Sequence, residues 1–78
     1  SGDRYQRRVG IVGAGDMGSA LANDLISRRS FGLQPVIFFD DNKRKWGRRL
    51  HGVPIVGPIS SLPERVLQTR ITEVIITM

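Results

Sequence analysis

Apolar residues fall into short runs, and each run stops at a residue that punctuates structure. Val9-Gly10-Ile11-Val12 halts at Gly13 and reads as a buried strand. From Asp16 to Arg29 apolar residues fall at Met17, Ala20, Leu21, Leu25 and Ile26, among others, the spacing of one helical face. Arg28 and Arg29 close that segment, where cations suit the negative end of a helix dipole. Residues 30–35 read as a loop. Val36-Ile37-Phe38-Phe39 is apolar throughout, a strand expected to be covered on both faces. Asp40-Asp41-Asn42 signals a turn, and the basic stretch from there to Arg49 reads as an exposed loop. A third short strand spans 52–58, with Pro54 setting it at or near an edge. Ser61-Leu62-Pro63-Glu64 fits a capping box before a short helix that ends near Thr69. Residues 73–77 form a fourth strand.

The resulting order, β-α-β-β-α-β, implies parallel pairing through right-handed crossovers. The expected fold class is α/β: a Rossmann-like half-fold with a four-stranded, mainly parallel sheet, one domain over residues 1–78. A chain of 78 residues buries only roughly 60% of its unfolded surface, so its core is small. The last strand arrives with no helix to cover it. The chain is therefore expected to be a fragment of a larger protein, with Ser1-Gly2 set aside as an expression remnant.

Composition narrows the chemistry. There is no cysteine and one histidine, His51, which excludes disulfides, thiolate chemistry and sites built on several imidazoles. The longest apolar run, Val36–Phe39, is far too short to cross a bilayer. Twelve Lys and Arg against seven Asp and Glu give a net charge of +5, clustered at Arg4, Arg7 and Arg8, at Arg28 and Arg29, and from Lys43 to Arg49. Such a field attracts nucleic acid, anionic lipid or phosphorylated metabolites, but solvated loops and helix ends are the preferred account of it.

The segment carrying chemistry is Gly13-Ala14-Gly15-Asp16-Met17-Gly18, a G-x-G-x-x-G between a strand and a helix. An acidic residue, Asp40, closes the second strand 22 positions after Gly18. In a dinucleotide site the first glycine makes the turn, the second lets the pyrophosphate approach, and the third lets the helix sit close on the strand. The free amides and positive dipole at the helix start complete an anion site. The candidate cofactor-binding residues are Gly13, Ala14, Gly15, Asp16, Met17, Gly18, Asp40 and Asp41. Against occupancy, the Asp16 carboxylate sits where a phosphate would, and the glycines also suit plain helix–strand packing. Lys43, Arg44 and Lys45 behind Asp40 suit either an added phosphate, such as a 2′-phosphate, or a flexible exposed loop, with the loop preferred.

No catalytic or metal-binding set is expected. The only tyrosine, Tyr5, has Val9 rather than lysine four residues later, and His51 has no orienting acid. Asp40 and Asp41, being adjacent, should point to opposite sides. Trp46 among basic residues is thin support for base stacking, so no nucleic-acid partner is expected.

Taken together, residues 8–18, 35–41 and 47–58, with Leu50-His51-Gly52-Val53-Pro54-Ile55-Val56-Gly57 the most distinctive part, followed by residues 73–77, resemble one family. It is the Rossmann-like domain of membrane-anchored, CapD-like polysaccharide-biosynthesis proteins, nucleoside-diphosphate-sugar epimerases and dehydratases. The resemblance implies membrane helices before this domain and an NAD(P)-dependent catalytic domain after it. It implies a parent protein at the cytoplasmic face of the bacterial membrane, touching the membrane only through other parts of that parent. Ligands consistent with it are NAD or NADP, with CoA or a UDP-sugar as alternatives, none of them required for the fold. A homo-oligomer and the parent's catalytic domain are the expected partners. The alternatives are a structural or dimerisation domain with a vestigial pocket, or part of a sugar-nucleotide dehydrogenase or a membrane sugar-phosphate transferase.

Overall fold

A computed structural model describes residues 6–78. Arg4 of the first basic cluster, Tyr5 and the Ser1-Gly2 pair lie outside the described residues. The elements are β1 (Arg7–Val12), α1 (Asp16–Ser27), β2 (Leu33–Phe39), β3 (Arg49–Leu50), β4 (Val53–Val56), α2 (Leu62–Thr69) and β5 (Glu73–Ile76). They build a sheet of order β3-β4-β2-β1-β5, in which β4, β2, β1 and β5 run parallel. The fold is Rossmann-like α/β, as expected, but the sheet has five strands rather than four.

The added strand is β3, which pairs antiparallel with β4 at Arg49↔Pro54 and Leu50↔Val53. His51 and Gly52 join the two strands with φ of 52° and 79°. That is the pair of left-handed residues a tight hairpin of matching twist demands. Pro54 thus lies one strand in from the edge.

Phe38 and Phe39 are fully buried on opposite faces of β2, so both faces are covered as the apolar run predicts. One layer, with Val9, Ile11, Phe38 and Ile55, packs on Ala22 of α1. The other, with Val12, Ile37, Phe39 and Ile71, packs on Leu62 and Val66 of α2. Full burial of each such side chain stabilises by about 1.5–3 kcal/mol. Strand β2 starts earlier than expected, at Leu33, and contains Pro35. The ladder tolerates that proline because the register slips there: Val9 faces Pro35 while Gly10 faces Ile37. Val36 is the extra residue, which is why it packs with its neighbour Ile37 on the same layer.

Both helices depart from expectation at their ends. Helix α1 stops at Ser27, and its buried stripe is Gly18, Ala22 and Leu25 rather than the wider apolar face. Met17 and Ile26 are left exposed. The capping box does not form. A 3₁₀ turn at Ile59–Ser61 runs straight into α2, and the Ser61 hydroxyl donates back to the Pro58 carbonyl at 2.7 Å. Several basic residues serve the frame: Arg8 donates to the Thr69 carbonyl at the end of α2, and Arg7 pairs with Glu73. No helix among the described residues is long and apolar enough to cross a membrane.

Candidate functional site

The turn after β1 is fixed from three directions. Gly13 has φ of 106° and donates its amide to the Phe39 carbonyl at 2.8 Å. Thr77, just past β5, donates its hydroxyl to the Val12 carbonyl at 2.9 Å and lies where a Gly13 side chain would be. A side chain at Gly18 would overlap the carbonyl oxygen of Gly13. Two of the three glycines are therefore demanded by the fold itself.

The third is not. Gly15 has extended backbone, φ −91° and ψ −160°, which any residue adopts. A Cβ built there meets nothing within 4 Å. Gly15 lines an open cleft of 340 Å³, walled also by Gly13, Asp16, Asp40, Lys45 and Thr77. The first turn of α1 borders it, and no side chain caps the helix start. Asp16 and Met17 sit on its rim in the first helical turn, both exposed, and Gly18 and Met78 complete the wall.

Asp40 reaches the turn from the end of β2. Its Oδ2 accepts the Ala14 amide at 2.8 Å and its Oδ1 accepts the Asn42 amide at 2.8 Å. The Ala14 amide first, then the Asn42 amide, hold this carboxyl below its ordinary value; burial pushes the other way, and the Lys45 ammonium adds a smaller lowering. Each carboxylate oxygen retains acceptor capacity beyond its one amide, enough for a pair of hydroxyls.

The residue beside it does something else. Asp41 lies outside the cleft, and its Oδ1 accepts the Ile59 amide at 2.8 Å, capping the turn that leads into α2. Of the two expected ligand-binding carboxylates that follow β2, Asp41 is the one that the structure does not bring to the cleft. The adjacent carboxylates do point to different segments, as their spacing predicts.

The basic stretch is largely exposed, as expected, but carries a short 3₁₀ turn. Lys43–Lys45 form a 3₁₀ turn whose Arg44 amide is capped by the Asn42 side chain at 3.0 Å. Trp46 is a structural anchor, donating from Nε1 to the Asp40 carbonyl at 2.7 Å and packing on the core of the α1 side. Lys43 and Arg44 face solvent, while the half-buried Lys45 donates to the Ala14 carbonyl at 3.1 Å. His51 stays at the surface, with Nε2 lying 3.0 Å from the Ser19 hydroxyl.

The sequence offered Lys45 only jointly with Lys43 and Arg44, for an added phosphate or an exposed loop, and did not single out Thr77 and Met78, which reach the cleft because β5 lies beside β1. The strand order 3-2-1-4 of a Rossmann sheet was the available signal for Thr77.

A family of CoA-binding domains matches residues 1–78. The chain belongs to that family. Among curated relatives it is 35% identical, over 91% of its length, to the redox-sensing transcriptional repressor Rex of Brevibacillus brevis. It is 33% identical, over 87% of its length, to the capsular polysaccharide biosynthesis protein CapD of Staphylococcus aureus. It spans 33% of the first of these and 12% of the second. Among solved structures, the Rex-family repressor RSP in complex with NADH superposes with a TM-score of 0.81 at 25% identity, over 99% of this chain and 36% of that one. UDP-D-quinovosamine 4-dehydrogenase of Vibrio fischeri gives 0.77 at 30% identity, over 91% and 56%. RSP has also been solved with NAD+ and operator DNA, so the expectation of no nucleic-acid partner does not extend across these relatives. This CoA-binding domain is a Rossmann-like nucleotide-binding module related both to polysaccharide-biosynthesis proteins and to Rex repressors.

Proposed function

We propose that this CoA-binding-family domain binds an adenine dinucleotide of the NAD type in the cleft at the glycine turn. In this reading it is the nucleotide-binding module of a membrane-linked nucleoside-diphosphate-sugar epimerase or dehydratase in polysaccharide biosynthesis, held at the cytoplasmic face by other parts of the parent. The observation that carries the binding site is Gly15: neither its backbone nor its packing requires glycine, and it lines the cleft at the uncapped start of α1. A diphosphate fits there against the helix start. The ribose hydroxyls then reach Asp40, whose ionised carboxylate suits a free diol better than a phosphate on the ribose. This favours NAD over NADP and CoA.

The domain supplies binding, and the parent's catalytic domain supplies the chemistry. Likeness to CapD and to a UDP-sugar dehydrogenase supports this assignment of the parent. A second reading is favoured by the 35% identity to Rex and the NADH-bound RSP structure: the same cleft as the sensing site of a redox repressor.

Titrating the full chain with NAD, NADH, NADP, CoA and a UDP-sugar tests the proposal. Binding of NAD or NADH in preference to the others is expected. Equal affinity for NAD and NADH supports the biosynthetic reading, and a strong preference for NADH supports the sensor. Binding of CoA or UDP-sugar alone contradicts both.

A further inference from the structure

We infer that Lys45 is the cation that allows this cleft to accept a diphosphate. The inference rests on the nucleotide-site reading above and adds one residue to it. Two side chains on the cleft wall are carboxylates, Asp16 and Asp40, and a diphosphate seated on the first amides of α1 meets both. The helix start opposes them with only about half an elementary charge. Among the described residues lining the cleft, Lys45 alone carries a full positive charge.

Its position is built by its neighbours. The Asn42 side chain caps the turn, the Trp46 indole ties it to the Asp40 carbonyl, and Gly57 leaves room for the indole, since a side chain there would overlap it. The anchored turn sends Lys43 and Arg44 to solvent and Lys45 inward to the Ala14 carbonyl. Ala14 is thereby gripped at both ends, its amide by Asp40 and its carbonyl by Lys45. An ammonium has three donors, and one serves Ala14. The others are open to a ligand in the cleft that Lys45 lines.

A structural clamp and a counter-charge make different predictions for ligands of different charge. Lys45→Gln retains a donor for Ala14 without the charge, and Lys45→Arg retains the charge. Each variant of the full chain is titrated with ADP and with neutral adenosine, followed by amide NMR, which also reports an intact fold. Lys45→Gln should lose about tenfold or more in ADP affinity while adenosine changes by less than about twofold, and Lys45→Arg should stay within about threefold of wild type for both. Equal losses for ADP and adenosine, or an unchanged ADP affinity in Lys45→Gln, would overturn the role. A wild-type chain that binds neither ligand would instead overturn the nucleotide-site reading, and the role of Lys45 with it.

Discussion

Asp40 and Ala14 are joined by a 2.8 Å hydrogen bond from the Ala14 amide to the Asp40 carboxylate, so the end of β2 and the glycine turn after β1 form one unit. The carboxylate that would read a ribose also shapes the loop that would hold the phosphates. Ligand and fold therefore share this residue. Asp40→Ala should cost ligand affinity on the order of 1–3 kcal/mol and also loosen the turn. Amide hydrogen exchange at Ala14 and Asn42 should rise in the variant, which separates it from a loss of ligand contact alone.

The same bond sets a pH dependence. The folded-state pKa of Asp40 is depressed below its ordinary 3.8. Its contribution to stability is therefore fully present above that ordinary value and is lost as the pH falls through the lower folded-state value. Denaturant unfolding between neutral pH and about pH 3 should show a decline in stability that Asp40→Asn makes shallower. An unaltered pH profile in Asp40→Asn would remove the carboxylate from this role.

The glycines should separate by function. Gly18→Ala drives a methyl group into the Gly13 carbonyl and should destabilise by about 1–3 kcal/mol or more. Gly15→Ala should be near neutral for folding, because the weaker N-cap is offset by a less flexible unfolded chain, each effect being about 0.5–1 kcal/mol. Thermal unfolding of the two variants checks the contrast.

Much of this was legible in the sequence, for physical reasons. Runs such as Val36–Phe39 announce a doubly covered strand because both faces must be apolar, and the glycine spacing announces the turn because Gly13 and Gly18 have no room for a side chain. What escaped were features decided by contacts distant in sequence. The hairpin of β3 and β4 turns on His51-Gly52, and histidine is a less usual occupant of a left-handed position than asparagine or aspartate. The cap before α2 comes from Asp41, 18 residues upstream of Ile59, and the Ser61 hydroxyl turns back to the Pro58 carbonyl instead of forming the local Ser61–Glu64 box. Lys45 looked like its basic neighbours until Trp46 fixed the turn that aims it inward.

Strand β5 pairs with β1 alone, and Val74 and Ile76 are 39% and 70% exposed on the side that carries α2. An apolar edge of this kind promotes association between chains. The 78-residue chain should form dimers or larger species in sedimentation velocity, and Ile76→Lys should shift it toward monomer without reducing its folded stability. A wild-type monomer at high concentration would count against the homo-oligomer.

Amide NMR titration of the wild-type chain and of Gly15→Val with NADH tests the central claim most directly. The nucleotide-site account predicts shifts concentrated at Ala14–Met17 and around Asp40 in the wild type. It predicts their loss in Gly15→Val, whose spectrum should remain that of a folded protein. Shifts confined to the cleft between Arg49 and Arg65, or unchanged binding in Gly15→Val, would contradict it.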